Sequence, residues 1–218
     1  MKGIISGIKR MEIHDGDGLR TTVFFKGCPL RCIWCHNPES ISYGKQIAYF
    51  KEKCIGCGIC KNIRNEETAD MCPTEAIFQY GREYEADELV AELMSDKLFF
   101  EKSGGGVTLS GGECLCQSVF SVEVAKKLCD NNVSVYVDTC GFVKQDVFDA
   151  IMPYTDKFLF DIKAINSEVH KKCTGQDNKI ILDNLKYLSD KGCAIEIRYP
   201  LVMGYNDVNA VVKLKKSA

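Results

Sequence analysis

Short runs of β-branched and aromatic residues alternate along this chain with longer segments in which apolar residues recur every three or four positions. The short runs are typical of buried strands, and the recurring pattern is typical of amphipathic helices. Five strands are predicted, at residues 21–26, 106–110, 133–138, 157–162 and 193–199. Helices are predicted at residues 84–100, 117–130, 144–152, 167–173 and 179–191. This alternation predicts an α/β fold, because strands joined by helical crossovers pair in parallel.

Polar or glycine residues stand at the carboxyl end of each predicted strand. In chain order they are Gly27, Gly111, Asp138, Asp161 and Arg198. Right-handed crossovers give a curved sheet or a barrel, and they bring these ends to one edge. Ligands bind at this edge in parallel α/β folds. We therefore expect the functional site there.

Residues 49–83 interrupt the alternation, because they combine cysteines and glycines without a regular apolar period. We expect this stretch to form a small inserted domain between the first strand and the first long helix. The main domain is then expected to consist of residues 1–48 and 84–218.

The thiol content is the unusual part of the composition. The 218 residues include 13 cysteines, 28 lysines and arginines, and 30 aspartates and glutamates, with a net charge of −2. This charge gives no general attraction for nucleic acid or anionic membranes, so neither is expected as a partner. The sequence shows neither a signal peptide nor an apolar run long enough to cross a bilayer. We expect a cytoplasmic protein, in which so many thiols favour metal or redox chemistry over disulfides.

Three of the cysteines lie together directly after the first strand, as Cys28-x3-Cys32-x2-Cys35. Three thiolates on one short loop can ligate three irons of a cubane cluster, which normally takes four thiolates. The fourth iron is then open to a ligand that does not come from the protein. The alternative is a zinc ion with a fourth ligand elsewhere, such as His36.

Several motifs around these three cysteines, here called the triad, are similar to one known family. They are the triad with Trp34 before its last cysteine, and the segments Ile13–Arg20, Phe24–Cys28 and Cys35–Ser40. They resemble the radical S-adenosylmethionine (SAM) enzymes, and within these the activating enzymes of glycyl-radical enzymes, over about residues 3–207. The resemblance implies a catalytic 4Fe–4S cluster on Cys28, Cys32 and Cys35, with one open iron that binds SAM. One electron would cleave SAM to methionine and a 5′-deoxyadenosyl radical, which abstracts hydrogen from a glycine of a partner enzyme.

The resemblance also implies cofactor contacts at the strand ends. The expected cofactor-binding residues are Trp34, Gly111, Gly112, Glu113, Asp138, Thr139, Asp161, Lys163 and Arg198. Glu113 is expected to accept from the amino group of SAM, and the two aspartates with Thr139 to hold a monovalent cation. Taken alone, the Gly-Gly-Glu segment could be an ordinary turn, and Asp138 could simply cap a loop. Asp15 is expected to contact the glycine loop of the partner.

The six cysteines dispersed through the rest of the chain are expected to be small core hydrophobes. They are Cys114, Cys116, Cys129, Cys140, Cys173 and Cys193. Two of them depart from the family pattern, since Cys114 stands where proline is usual and Cys140 stands where asparagine is usual.

A second group of cysteines lies in the expected insertion. Cys54-x2-Cys57-x2-Cys60 resembles the first three positions of a bacterial ferredoxin, and Cys72 followed by proline supplies the usual ending after an x11 gap. A second 4Fe–4S cluster on these four thiols is expected, in a ferredoxin-like insertion, with zinc as the alternative. The sequence leaves two roles open for this second cluster, namely electron relay and a purely structural role.

The resemblance implies six β/α units, of which the pattern shows five. We therefore expect a partial, TIM-like (β/α)6 barrel of the radical SAM type that lacks its last unit. Two functions are open. The first is a radical SAM oxidoreductase that activates a glycyl-radical enzyme and takes electrons from a flavodoxin or ferredoxin-type donor. The second is an iron–sulfur electron-transfer or assembly protein that does not cleave SAM.

Overall fold

The structure, a computed structural model, describes residues 1–207 of the chain. Its strands are β1 (Lys2–Glu12), β2 (Arg20–Phe25), β3 (Gln46–Tyr49), β4 (Ile77–Tyr80), β5 (Arg82–Glu85), β6 (Gly106–Gly111), β7 (Ser134–Thr139), β8 (Lys157–Asp161) and β9 (Ile195–Arg198). Its helices are α1 (Glu66–Asp70), α2 (Ala86–Leu93), α3 (Lys97–Ser103), α4 (Ser118–Asp130), α5 (Gln145–Ile151), α6 (Ser167–Thr174) and α7 (Lys179–Asp190). Residues 208–218 of the expected main domain lie outside the described residues.

A seven-stranded sheet forms the centre of the fold, in the order β5-β1-β2-β6-β7-β8-β9. The pairs from β2 through β6, β7 and β8 to β9 are parallel. These are the five predicted strands, and their pairing confirms an α/β fold with a mostly parallel sheet. The other two strands pair antiparallel, β1 with β2 and β5 with β1.

The apolar pattern does not predict β1 and β5. β1 contains two glycines and several charged residues, so its apolar positions do not alternate cleanly. Gly3 is required there because a Cβ would lie 2.1 Å from the ring of Phe120 on α4. β5 is a short polar edge strand in which only Tyr84 is buried. The positions of β1 and β5 therefore depend on tertiary contacts and not on a local apolar pattern.

The single helix predicted over residues 84–100 is wrong, because the structure divides this region among β5, α2 and α3. A tight turn at Met94–Asp96 separates the two helices. Asp96 accounts for the break, since its buried carboxylate accepts from Arg10 Nη1 at 2.5 Å and from Thr21 Oγ1 at 2.8 Å. These contacts fix the turn against β1 and β2.

Helices pack against the sheet around one large apolar core. Its central side chains include Val23, Phe25, Leu89, Leu93, Leu109, Val124, Leu128, Val137, Phe158 and Phe160. Gln117, just before α4, joins the ends of β1 and β2, because its amide nitrogen donates to the carbonyls of Ile4 and Lys26, each at 2.8 Å. These hydrogen bonds fix the position of Lys26, the residue that directly follows β2. Within residues 1–207, no helix is long and apolar enough to cross a membrane.

The cysteine-rich stretch carries its own small sheet, in which β3 and β4 pair antiparallel. Between them lies α1, whose start is capped by Asn65 and Thr68 through reciprocal hydrogen bonds of 2.9 Å. The expected boundaries at 48/49 and 83/84 fall inside β3 and β5 respectively.

Gly105 offers a test of the close packing between β2 and β6. A Cβ at this position would lie 1.8 Å from the carbonyl oxygen of Leu19. We expect Gly105→Ala to lower the free energy of unfolding by about 1–3 kcal/mol, because backbone has to move to make room. Urea unfolding of the metal-free protein measures this.

The matched control is Gly7→Ala in β1, where no described atom lies within 4 Å of the added Cβ. We expect its free energy of unfolding to stay within about 0.5 kcal/mol of that of the original chain. Equal urea midpoints for the two variants would contradict the close packing.

Candidate active site

A cavity of about 270 Å³ lies where the parallel strands end. All three cysteines of the triad line it, together with the expected residues Trp34, Gly111, Gly112, Asp138, Thr139, Asp161 and Lys163. The structure therefore brings together most of the residues that the sequence assigns to cofactor binding. They come from the loop after β2 and from the ends of β6, β7 and β8.

The turn after β6 is built from glycines because backbone packs directly on it. A Cβ on Gly112 would lie 2.5 Å from the carbonyl oxygen of Gly27 and 2.6 Å from that of Ser40. Gly111 adopts φ +108°, and a Cβ there would lie 2.2 Å from the amide nitrogen of Phe25. These contacts hold the turn against the start of the cysteine loop.

The cysteine loop is also tied to α6 by its backbone. The amide of Arg31 donates to the carbonyl of Thr174 at 2.7 Å, and that of Ile33 donates to the carbonyl of Cys173 at 3.0 Å. The Arg31 guanidinium folds back to the carbonyl of Cys28 at 2.5 Å. Backbone hydrogen bonds therefore hold the cysteine loop against the last turn of α6.

The triad thiols differ in their surroundings. The neighbouring side chain of Cys140 lowers the pKa of Cys28. Burial raises the pKa of Cys32 to about 11 and also raises that of Cys35. Three soft sulfur donors on one cavity fit an iron–sulfur cluster. Within residues 1–207, no three or more His, Cys, Asp or Glu side chains are arranged to hold a single metal ion.

Two carboxylates line the cavity together with the triad. Asp138 accepts from Ser110 Oγ at 2.6 Å. Burial and the nearby charge of Asp161 raise the pKa of Asp138 to about 7. Lys163 forms an ion pair with Asp161, and this contact outweighs the opposing effect of burial and raises the pKa of Lys163. The sequence signal for Ser110 is its place directly before the glycine turn.

Glu113 lies behind the cavity wall rather than in it. It is 1% exposed, and Thr139 Oγ1 lies 2.9 Å from both of its carboxylate oxygens. The backbone amides of Cys140 and Leu115 also donate to it, at 2.8 and 3.1 Å. Burial raises the pKa of Glu113 against these hydrogen bonds. This carboxylate joins the turn after β6 to the end of β7.

Arg198 and Asp15 meet each other outside the cavity lining. Nη1 of Arg198 lies 3.8 Å from Oδ1 of Asp15, and Nη2 donates to the carbonyl of His14 at 2.9 Å. Asp15 also accepts from Thr22 Oγ1 at 2.7 Å. Both side chains are about a quarter exposed, at 25% and 24%. Arg198, the expected cofactor contact, and Asp15, the expected partner contact, therefore lie next to each other.

The loop after β9 closes on the triad side. Trp34 packs edge-on against Tyr205 at a centroid distance of 6.1 Å, and its indole nitrogen is buried without a partner among residues 1–207. Asn206 fixes this loop by donating to the carbonyls of Lys163 at 2.8 Å and Pro200 at 2.7 Å. The partners of Asn206 are backbone groups, so the sequence pattern does not mark this residue.

The second cysteine group also converges. Cys54, Cys57, Cys60 and Cys72 line one small pocket of about 30 Å³, whose apolar wall is Ile55, Ile59, Ala76 and Ile77. Backbone amides, first that of Ile77, lower the pKa of Cys72, and the amide of Gly56 lowers that of Cys54. Four thiols with backbone donors form a donor set that suits a 4Fe–4S cluster.

Comparison with known proteins agrees with this geometry. Residues 22–214 match the Radical SAM superfamily. The chain is 40% identical to the trans-4-hydroxy-L-proline dehydratase activating enzyme of Clostridioides difficile, over 99% of this chain and 79% of that protein. It is 36% identical to the choline trimethylamine-lyase activating enzyme of Oleidesulfovibrio alaskensis, over 94% of this chain and 74% of that protein. A solved structure of TYW1 with a lysine-pyruvate adduct bound has the same fold, with 17% identity over 94% of this chain and 62% of that chain and a TM-score of 0.52.

The chain belongs to the radical SAM superfamily, and within it to the activating enzymes of glycyl-radical enzymes. Membership implies an oxidoreductase-type enzyme with a 4Fe–4S cluster and SAM as cofactors. It also implies a glycyl-radical enzyme as the protein substrate.

The raised pKa of Asp138 gives a stability test. The folded chain holds the Asp138 proton more tightly than the unfolded chain does. The free-energy cost of burying the ionised carboxylate is therefore small near pH 4 and reaches its full amount above pH 7. We expect Asp138→Asn to raise the free energy of unfolding of the metal-free protein by about 1–4 kcal/mol at pH 8, and by less at pH 5. Urea unfolding at the two pH values measures the difference.

The exposed Asp146→Asn is the control, and we expect it to show no such pH dependence. A stabilisation by Asp138→Asn that is the same at pH 5 and pH 8 would contradict the raised pKa.

Proposed function

We propose that the cavity where β2, β6, β7 and β8 end binds SAM against a 4Fe–4S cluster held by the triad. The observation that carries this proposal is that the triad and the strand-end residues line one cavity. When bound, the reduced cluster would supply the electron for cleavage of SAM to methionine and a 5′-deoxyadenosyl radical, and hydrogen would then be abstracted from a glycine of the partner enzyme.

Cys28, Cys32 and Cys35 are the proposed ligands of this cluster, and each must lose its proton to bind iron. Burial works against that loss at Cys32, whose pKa is about 11 in the metal-free protein. Cluster binding therefore releases protons. The ties of the loop to α6 support the proposal, since they fix the backbone that carries the three thiols.

The carboxylate side of the cavity is proposed to bind the polar end of SAM. Asp138, Thr139 and Asp161 are proposed to hold a monovalent cation there, and Lys163 is proposed to contact the cofactor. The repulsion between the two aspartates supports the cation, because a positive ion between them would relieve it. Gly111 and Gly112 let backbone approach the ligand, and Trp34 is proposed to contact it from the triad side.

Glu113 is proposed to accept from the amino group of SAM by exchanging its hydrogen bond from Thr139. Thr139 lines the cavity and donates to Glu113, which lies directly behind it. The amides of Cys140 and Leu115 would continue to hold the carboxylate.

Asp15 and Arg198 are proposed to work as a pair at the entrance for the partner. Arg198 is proposed to reach the cofactor, and Asp15 to meet the glycine loop of the glycyl-radical enzyme. Their contact at 3.8 Å and their partial exposure support a shared role.

The cysteine-rich insertion is proposed to be ferredoxin-like, spanning residues 49–83 in a main domain that forms a partial (β/α)6 barrel. We propose a second 4Fe–4S cluster on Cys54, Cys57, Cys60 and Cys72, supported by their shared pocket. It would relay electrons from a flavodoxin or ferredoxin-type donor or stabilise the insertion. The thiol content suits the cytoplasm, where we propose the protein works.

Anaerobic reconstitution with iron and sulfide, followed by reduction and addition of SAM, tests the function. We expect 5′-deoxyadenosine from the original chain, and none above background from Cys32→Ala, because the triad would lose one of its three ligands. Liquid chromatography measures the product, and iron content with EPR spectroscopy measures the clusters.

Cys57→Ala is the matched control in the other cysteine group. We expect it to lose the second cluster and to keep the SAM-responsive signal of the first. Two intact clusters without any SAM cleavage in the original chain would contradict the activating function and favour an electron-transfer or assembly protein. Loss of both clusters in Cys32→Ala would contradict two independent sites.

A further inference from the structure

The segment that carries Cys54, Cys57 and Cys60 exposes large apolar side chains. Cys54 and Cys57 are exposed themselves. Four apolar side chains within three residues of a cysteine of this group are 44% to 69% exposed, namely Ile55, Ile59, Ile63 and Met71. Ile55 and Ile59 also line the pocket that the four thiols share. Single exposed apolar side chains are normal, but a group of them at one place indicates a surface for another molecule.

Basic side chains surround this apolar group. Residues 51–64 contain four of them against one acidic residue, Glu52, in a chain whose net charge is −2. All four are exposed, and they are Lys51, Lys53, Lys61 and Arg64. None of them forms an ion pair within residues 1–207, whereas Lys45, just before β3, pairs with Glu66 at 2.6 Å. This segment therefore presents positive charge that no carboxylate of the described chain neutralises.

Two of these cations lie on aromatic rings beside the thiols. The guanidinium carbon of Arg64 lies 3.8 Å from the ring centroid of Tyr49, which lines the thiol pocket. Nζ of Lys53 lies 4.9 Å from the ring centroid of Phe50. Contacts between a cation and the face of an aromatic ring are attractive. Lys61 adopts φ +47°, a conformation that is uncommon for a residue with a Cβ. The positive charge therefore lies next to the pocket.

We propose that these four apolar and four basic side chains form the docking surface for an acidic one-electron carrier protein, which reduces the second cluster. This inference rests on the proposed function, which assigns that cluster to Cys54, Cys57, Cys60 and Cys72. One electron leaves the reduced cofactor of the carrier and enters the oxidised cluster, and no atom is transferred. An apolar centre within a polar rim is the usual anatomy of a protein interface. A small surface suits the weak, transient complexes of electron carriers.

The position of the charge favours an electron carrier over other anionic partners. An anionic membrane or a nucleic acid would also be attracted to these cations. Neither has an electron to deliver, however, and the docking surface surrounds thiols of which two are exposed. A cluster on these thiols would lie close to the docked carrier. Complementary charge speeds the encounter of two proteins, which suits a partner that binds, transfers one electron and leaves.

Flavodoxin, an acidic protein whose FMN transfers one electron at a time, is the probe. Anaerobic stopped-flow absorbance follows the oxidation of its hydroquinone to the semiquinone by the reconstituted full chain. We expect the double variant Lys51→Glu/Lys61→Glu to lower the second-order rate constant by about tenfold at an ionic strength of about 0.01 M, because like charges then meet. The difference should nearly vanish at about 1 M, where these charges are screened. Iron content and EPR spectroscopy check that both clusters are present in the variant.

The matched control is Lys126→Glu/Lys186→Glu, which makes the same change of charge at exposed positions on α4 and α7. It should leave the rate constant within about twofold of that of the original chain, because the charge lies away from the docking surface. Cys57→Ala, which is expected to lose the second cluster, should accept electrons from flavodoxin more slowly than the original chain.

The proposal is overturned by any of three results. The first is that the original chain takes no electron from flavodoxin. The second is that the two double variants have equal rate constants, including the case in which Lys51→Glu/Lys61→Glu instead loses binding to vesicles of anionic phospholipid. The third is that Cys57→Ala is reduced as fast as the original chain. SAM cleavage by the original chain under dithionite together with one of these results would contradict this inference alone. A rate that depends on Lys51 and Lys61 in a chain that cleaves no SAM would contradict the proposed function alone.

Discussion

The contact of Gly112 with the carbonyl oxygens of Gly27 and Ser40 is the constraint on which the site depends. The space there is too small for any side chain, so the turn after β6 and the start of the cysteine loop meet backbone to backbone. The amide of Glu113 donates to the same Gly27 carbonyl at 2.8 Å. Because these segments cannot shift independently, the position of Cys28 relative to the strand ends is set by the fold itself.

The lining of the resulting cavity combines two kinds of chemistry. It contains soft sulfur from the triad, and also two carboxylates and the Lys163 ammonium. Glu113 lies behind the cavity wall, where its carboxylate binds both the segment after β6 and the residues that end β7. A displacement of either strand end would therefore disturb a fully buried carboxylate, which is costly unless its hydrogen bonds are kept.

The sequence predicts the features that depend on local period and spacing, and misses those that depend on distant contacts. The five parallel strands and the convergence of the triad with Asp138 and Asp161 follow from apolar runs and from the rule that ligands bind where parallel strands end. The break at Asp96 depends on Arg10 and Thr21, which are far away in the chain, so no local pattern predicts it. The inward direction of Glu113 is likewise decided by tertiary packing.

The ties between the cysteine loop and α6 bear on the order of events during synthesis. Arg31 and Ile33 emerge early from the ribosome, but their backbone acceptors at Thr174 and Cys173 lie far downstream. A nascent chain that ends before α6 lacks both of these acceptors, and only the start of the loop, at Gly27, can be held by the turn after β6. The full set of backbone contacts around the three thiols therefore exists only after α6 has been translated.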